Sequence, residues 1–180
     1  MKTAAFIPAR YAATRFPAKL MQLLGNEPVI VHTWKNTLAT GLFDEVYVVT
    51  DSDIIYKTIE DAGGKAIMSK KPHESGSDRI AEAVKDVDVD IVVNVQGDEP
   101  FVKRAPLEAL LHVFDGEAGK QVQVASLMQE LTDTSLIQDP NYVKVAVDLH
   151  FNALFFSRSV VPYPRDPAAI KAYYEHIGVY

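Results

Sequence analysis

The chain has 180 residues, of which 48% are hydrophobic and 23% charged, the ordinary composition of a globular domain with a buried core. Lysine and arginine number 18 against 24 acidic residues, giving a net charge of −6. This balance argues against a nucleic-acid-binding protein, which needs a basic excess to neutralise phosphates. The absence of cysteine excludes a disulfide framework, a thiolate metal site and a cysteine nucleophile, and it fits a reducing compartment.

The N-terminal apolar stretch, residues 4–9, is interrupted by Pro8 and closed by Arg10. It therefore lacks the longer apolar core and the cleavage signal of a secretory peptide. No apolar run approaches the ~18 residues needed to cross a bilayer. We predict a cytoplasmic protein without a membrane or nucleic-acid partner.

Short apolar segments alternate with amphipathic segments over the first two thirds of the chain. The predicted strands are Thr3–Ile7 (closed by Pro8), Val46–Thr50, Lys65–Met68, Ile91–Val95 and Val122–Met128. The predicted helices begin at Pro28, after Ser52 or Asp53, at Ser77 behind a capping Ser75, and at Pro106. This alternation predicts an α/β fold, doubly wound, with a mostly parallel sheet and helices on both faces.

The last third of the chain has a different pattern. Val143–Asp148 and Ala153–Ser157 flank a polar turn and predict a hairpin extension, and His176–Tyr180 predicts a final strand. Because that strand stops without a cap or a polar tail, we expect these residues to be a fragment of a longer protein.

A cationic loop follows the first predicted strand, at the sheet edge where open α/β folds bind ligands. It carries Arg10, Arg15 and Lys19. These side chains and the backbone N–H groups of the loop could surround a triphosphate. The alternative is an ordinary solvated loop, since most surface arginines and lysines have no special role.

Asp98 follows the central predicted strand and is the best candidate for a metal ligand. The adjacent Gly97 leaves room for a ligand to approach, and Mg²⁺ commonly takes one or two carboxylates and completes its shell with phosphate oxygens and water. The alternative is that Asp98 and Glu99 only end the strand and cap the next turn.

Three motifs of large enzyme classes are absent from the sequence. The chain has no G-x-G-x-x-G after the first strand, no P-loop and no G-x-S-x-G motif. Their absence weighs against a dinucleotide oxidoreductase, a P-loop NTPase and a serine hydrolase.

Five segments, in this order, resemble the 3-deoxy-manno-octulosonate (Kdo) cytidylyltransferases, or CMP-Kdo synthetases. They are residues 7–19 (IPARYAATRFPAK), 75–82 (SGSDRIAE), 93–100 (VNVQGDEP), 155–158 (FFSR) and 176–180 (HIGVY). The resemblance covers essentially the whole chain. It implies transfer of CMP from CTP to the anomeric hydroxyl of Kdo, with release of pyrophosphate, for lipopolysaccharide biosynthesis. It also implies Mg²⁺ as cofactor, a single nucleotidyltransferase domain over residues 1–180, and a homodimer formed through the hairpin region.

The resemblance implies a role for each residue that matches a family motif. The catalytic residues would be Arg10, Lys19 and Asp98, with Asp98 as the metal ligand. The nucleotide would contact Pro8, Ala9, Arg10, Arg15, Lys19, Ser75, Gly76, Arg79 and Gln96. The sugar would contact Gln96, Arg158, His176 and Tyr180. Arg158 suits the Kdo carboxylate because a guanidinium can bind it with two hydrogen bonds.

The chain departs from the family pattern in four respects. Ala13 replaces the small hydroxyl residue or glycine often found there, and Leu20 stands where the family usually has proline. Ala18 stands where the family usually has glycine, so we expect the loop before Lys19 to close differently, because alanine adopts a positive φ less readily. The family also supplies a second metal-binding aspartate beyond the 176–180 segment, so we expect these residues to lack the C-terminal part of the family's chain. Two other functions stay open. One is a cytidylyltransferase for a related acid sugar, 8-amino Kdo or sialic-type. The other is a non-catalytic nucleotide-binding module, should the chain end at Tyr180.

Overall fold

The computed structural model describes residues 1–12, 18–166 and 170–180. These residues form two compact units, the first made of Met1–Gln123 with Val179–Tyr180 and the second of Val124–Gly178. The assignment of one domain to residues 1–180 stays a prediction.

The first unit contains a parallel sheet. In chain order, its described strands and α-helices are β1 (Thr3–Ala9), β2 (Leu23–Leu24), β3 (Glu27–Pro28), α1 (Val29–Ala39), β4 (Glu45–Thr50), α2 (Asp53–Asp61), β5 (Lys65–Met68), α3 (Gly76–Ala83), β6 (Ile91–Asn94), α4 (Arg104–His112) and α5 (Gly116–Gly119). Four of these described strands form the sheet in the order β5–β4–β1–β6, and every neighbouring pair is parallel. The short strands β2 and β3 pair with each other in an antiparallel hairpin.

Both faces of this sheet are covered. On one face, Ala4 and Phe6 of β1 pack against Ile80 and Ala83 of α3. The alternate residues of β1, such as Ile7, are also fully buried, and α1 packs on β1 and β4. Burial on both faces explains why these strands are continuous apolar runs in the sequence. The predicted doubly wound α/β fold is confirmed.

Pro8 lies inside β1, whereas the sequence analysis ended the strand before it. The Val95 backbone N–H donates to Phe6 O at 3.0 Å, so the backbone polar groups of Phe6 and, two residues on, Pro8 face β6. The pairing of β1 with β6 stops at Phe6, while its pairing with β4 continues to Ala9. Pro8 therefore lacks an N–H group where no ladder bond is required, and the strand continues through it.

The predicted helix starts are close to the observed ones. Ser75 accepts a hydrogen bond from the Asp78 backbone N–H at 3.1 Å and caps α3, and Ser52 caps α2 through Ile55 N–H. The helix expected from Ser77 begins one residue earlier, and the helix expected from Pro106 begins at Arg104. Within the described ranges, no helix combines the length and apolarity needed to span a bilayer.

The second unit is built on an antiparallel sheet. Its described elements are β7 (Leu127–Glu130), α6 (Thr134–Gln138), β8 (Lys144–Val147), β9 (Ala153–Ser157) and β10 (Tyr174–Ile177), with the sheet order β7–β10–β8–β9. The predicted hairpin is confirmed as β8–β9.

Two strand predictions for residues after position 120 were wrong in detail. The strand predicted at Val122–Met128 is Leu127–Glu130, and it pairs antiparallel with β10 instead of extending the parallel alternation. The strand predicted at His176–Tyr180 is Tyr174–Ile177. The chain leaves the second sheet after Ile177, and Tyr180 exchanges backbone hydrogen bonds with Asn94 of the first unit at 2.7 and 3.4 Å. Apolar runs alone do not reveal such distant pairings.

Candidate active site

A pocket of about 290 Å³ lies beyond the carboxyl ends of β1 and β6 in the first unit. Its lining residues are Pro8, Arg10, His73, Glu74, Ser75, Gly76, Arg79 and Gln96. Six of these eight were predicted from the sequence to contact a nucleotide, and they come from segments up to 88 residues apart. The structure therefore brings described residues of three motif segments, 7–19, 75–82 and 93–100, to one place.

Pro8 and Gly76 form a close contact in the wall of the pocket. A Cβ atom on Gly76 would lie 3.0 Å from Pro8 Cγ, closer than ordinary side-chain packing allows. Glycine therefore lets the first turn of α3 approach the end of β1. Ser75, the cap of α3, lies beside this contact, and its hydroxyl also donates to Asp78 at 2.6 Å.

Arg79 is the buried cation of the pocket. Its side chain is only 5% exposed. Nη1 donates to the carbonyl of Ala9 at 2.6 Å, and Nη2 donates to the carboxylate of Asp51, which follows β4. Nε is buried without a hydrogen-bond partner among the described residues. Arg79 thus ties the ends of β1 and β4 together, and Ala9 contributes its carbonyl while its own side chain is buried.

His73 lines the pocket, and the sequence analysis missed it. Its ring is 5% exposed, and Nε2 lies 3.0 Å from Glu82 Oε2. Glu82 also accepts the Lys70 backbone N–H at 2.9 Å. The hydrogen bond from His73, followed by that from Lys70, holds the pKa of Glu82 below its usual value of 4.5. The Glu82 carboxylate therefore fixes residues 70–73 against α3.

Lys19 and Asp98 form a second cluster at the same sheet edge. Lys19 Nζ lies 2.6 Å from Asp98 Oδ2, and the two side chains are 51% and 43% exposed. Arg10, the third residue predicted to be catalytic, is exposed and lines the pocket. Arg15 lies outside the described residues.

The turn that carries Asp98 is held on both sides by α1. Thr33 Oγ1 donates to the carbonyl of Gly97 at 2.8 Å, and Asn36 Nδ2 donates to that of Pro100 at 2.5 Å. A Cβ atom on Gly97 would lie 2.9 Å from the backbone oxygen of Pro8. Thr33 and Asn36 were not predicted from the sequence, because the carbonyls that accept their hydrogen bonds are 64 residues away.

The residues predicted to contact the sugar belong to both units. Arg158 follows β9, is exposed, and donates from Nη1 to the carbonyl of Pro140 at 2.7 Å. The ring of His176 packs edge-on against Phe156 at 4.9 Å, and burial lowers the pKa of His176 below its usual 6.5. Tyr180 lies in the first unit, with its hydroxyl 2.5 Å from Ser77 Oγ. That these residues and Gln96 share one sugar site stays a prediction.

Comparison with known proteins identifies the family of the chain. The family model described as cytidylyltransferase matches residues 4–180. The chain belongs to this cytidylyltransferase family. The resemblance seen in the sequence is confirmed.

Members of the family with assigned names match along the whole chain. A 3-deoxy-manno-octulosonate cytidylyltransferase of Flavobacterium johnsoniae is 60% identical over 180 residues, which cover 100% of this chain and 74% of that protein. An 8-amino-3,8-dideoxy-manno-octulosonate cytidylyltransferase of Shewanella pealeana is 40% identical, with coverage of 100% and 74%. The solved structure of a CMP:2-keto-3-deoxy-manno-octonic acid synthetase complexed with CTP matches with a TM-score of 0.92 at 36% identity, covering 99% of this chain and 73% of that one.

Asp98 provides the donor chemistry that a cytidylyltransferase needs for Mg²⁺, but it provides only one carboxylate. Among the described residues, no group of three or more His, Cys, Asp or Glu side chains could hold a metal ion. Mg²⁺ is often bound by one or two carboxylates together with substrate phosphates and water. Asp98 therefore fits an ion shared with a bound triphosphate.

Proposed function

We propose that the chain transfers CMP from CTP to the anomeric hydroxyl of Kdo and releases pyrophosphate. The 60% identity with a named Kdo cytidylyltransferase over all 180 residues carries this proposal. The pocket supports it, because it gathers the matched motif residues at the sheet edge where α/β folds bind nucleotides. The 40% identity with the 8-amino enzyme is lower, so Kdo is the favoured acceptor.

In the proposed reaction, the anomeric oxygen of Kdo forms a bond to the α-phosphorus of CTP. The bond from that phosphorus to the bridging oxygen breaks, pyrophosphate leaves with the bond's electron pair, and the hydroxyl proton passes to solvent. Mg²⁺, held by Asp98, would neutralise phosphate charge and lower the pKa of the sugar hydroxyl. Arg10 and Lys19 would bind the triphosphate and stabilise the charge on the leaving pyrophosphate.

In the proposed reaction, Lys19 and Asp98 would leave each other, Lys19 for the triphosphate and Asp98 for the metal ion. Both side chains are about half exposed, and an exposed pair contributes less than about 1 kcal/mol to stability. Breaking it when the substrate binds therefore costs little. Lys19 would then turn to a phosphate oxygen, while Asp98 becomes available to the metal ion.

We also propose that β9 forms a homodimer contact. β9 is one of the two edge strands of the second sheet as described, and its side chains Leu154, Phe155 and Phe156 are 66%, 60% and 46% exposed. An exposed apolar edge strand is a ready surface for pairing with a second copy. Sedimentation velocity of a Phe155→Ser/Phe156→Ser variant should show a monomer. A variant that sediments like the wild type would contradict this contact.

The cytoplasmic location stays a prediction.

The reaction is tested by measuring pyrophosphate release from CTP with Kdo, 8-amino Kdo and a sialic acid, and by identifying the CMP-sugar by mass spectrometry. We expect Kdo to be the best acceptor and Asp98→Ala to abolish turnover while retaining the wild-type circular dichroism spectrum. The matched control is Asp88→Ala, because Asp88 is an exposed aspartate, with a 98% exposed side chain, before β6 instead of after it. Release of no CMP-sugar from any acceptor would overturn the proposed reaction, and near-normal kcat in Asp98→Ala would overturn the metal assignment.

A further inference from the structure

Lys144 is a fully buried cation in β8 that the proposed reaction does not use. It is 0% exposed, and its Nζ donates to the carbonyls of Asp139 at 2.9 Å and Tyr142 at 2.7 Å. Burying an ammonium group is costly unless it is hydrogen-bonded. A lysine at a position that an apolar side chain could fill therefore indicates that its hydrogen bonds to the 139–142 turn matter.

Arg158 binds the same turn. Its Nη1 donates to the carbonyl of Pro140 at 2.7 Å. Thus three carbonyls of the turn, those of Asp139, Pro140 and Tyr142, accept hydrogen bonds from two cationic side chains. In the antiparallel pairing of β8 with β9, Lys144 stands opposite Ser157, the residue just before Arg158.

We propose that Lys144 is a positioning residue that, through the 139–142 turn, orients the Arg158 guanidinium toward the carboxylate of the acid sugar. This inference rests on the proposed function, because it takes Arg158 as the partner of that carboxylate. A guanidinium is planar, so anchoring Nη1 on a fixed carbonyl also fixes the direction of its other donors. Two parallel hydrogen bonds to a carboxylate require such a fixed plane.

The test compares Lys144→Met, Arg158→Ala and the double variant by steady-state kinetics with CTP and Kdo. We expect Lys144→Met to raise the KM for Kdo about tenfold, within the roughly hundredfold that a displacement of about 1 Å can cost. The KM for CTP should change less than about twofold, since the proposed nucleotide pocket lies in the first unit. In the Arg158→Ala background, Lys144→Met should have no further effect, because the two residues act in series.

The controls separate positioning from simple loss of folding. Lys171→Met removes an exposed lysine of the same unit and should leave both KM values unchanged. Lys144→Gln keeps two N–H donors for the carbonyls and should raise the KM for Kdo less than Lys144→Met does. If Lys144→Met loses the circular dichroism spectrum of the folded protein, Lys144→Gln replaces it in the comparison of KM values.

The outcomes distinguish the inference from the proposed function beneath it. An unchanged KM for Kdo in Arg158→Ala would overturn the carboxylate assignment itself. A raised KM in Arg158→Ala with an unchanged KM in folded Lys144→Met and Lys144→Gln would overturn only the role of Lys144. Equal rises in both KM values, or additive effects in the double variant, would also overturn it.

Discussion

Replacing Arg79 with methionine tests how the first unit holds its pocket together. The methionine keeps an apolar stem of similar length but removes the guanidinium, which donates to the Ala9 carbonyl and the Asp51 carboxylate. If those hydrogen bonds fix the ends of β1 and β4, the variant should lose both stability and affinity for CTP.

The stability loss follows from the exposure of the partners. Removing one partner of a fully buried ion pair costs about 3–5 kcal/mol because the other charge is left without compensation. The side chain of Asp51 is 39% exposed, so water can take the place of the guanidinium and the cost is smaller. Loss of the charged donor at the Ala9 carbonyl adds about 1–3 kcal/mol. Removing Nε, which is buried with no hydrogen-bond partner in the described part of the chain, offsets some of this loss. We therefore expect a net loss of about 2 kcal/mol, or about 4–8 °C in Tm for a protein of this size.

The assays are urea unfolding and thermal unfolding without nucleotide, together with CTP titration by calorimetry. The matched control is Lys70→Met, which breaks an ion pair with Asp86 whose side chains are 73% and 69% exposed. That control should leave Tm within about 1 °C of wild type, because an ion pair between exposed side chains contributes little to stability. A Tm for Arg79→Met within about 1 °C of wild type, or a loss equal to that of Lys70→Met, would refute this account of Arg79.

Three further changes give distinct expected results. Gly97→Ala places a Cβ atom 2.9 Å from the Pro8 backbone oxygen. The free energy of unfolding should therefore fall by about 1–3 kcal/mol, and a variant as stable as the wild type would contradict that contact. Ala18→Gly should raise stability by about 0.5 kcal/mol. Ala18 has φ 53°, a conformation that costs alanine about 1–2 kcal/mol, and the greater backbone entropy that glycine loses on folding offsets part of the gain. A lower Tm for the variant would contradict this expectation. In Glu82→Gln, the deficit in urea midpoint relative to wild type should be full above about pH 4.5. It should shrink as pH falls through the lowered pKa of Glu82, since the unfolded carboxylate binds protons first. A deficit that does not change with pH would exclude the hydrogen bond from His73 as its cause.

The parallel sheet and the pocket edge could be predicted because their signals are local. Strands buried on both faces are short apolar runs, and Ser75 with Asp78 marks a helix start within four residues. The rule that ligands bind at the carboxyl ends of parallel strands then predicts Arg10 and Asp98 at one edge of the sheet. The structure has both residues there.

The remaining features depend on contacts and backbone conformations that no local sequence pattern shows. Pro8 can stay in β1 only because β6 stops pairing at Phe6, and the sequence contains no sign of this. We expected the loop before Lys19 to close differently because of Ala18, yet Ala18 adopts the left-handed conformation typical of glycine. Alanine tolerates this conformation at a cost in free energy, and the sequence does not show that the cost is accepted here. His73 lies in a polar loop of the sequence, and in the structure it lines the pocket while its ring contacts Glu82 on α3.

The distribution of charge explains how a chain with a net charge of −6 can present a site for a polyanion. At the amino end of β1, Asp44 accepts the Thr3 backbone N–H and Asp90 accepts that of Lys2, each at 2.7 Å, and the hydrogen bond from Thr3 lowers the pKa of Asp44. The cations Arg10, Lys19 and Arg79 gather at the opposite, carboxyl end of the same strand. Two of these cations already pair with carboxylates, Lys19 with Asp98 and Arg79 with Asp51. The edge therefore carries separate charges of both signs. A triphosphate interacts with the cations that lie within about one Debye length of it, so the sign of the total charge does not decide where it binds.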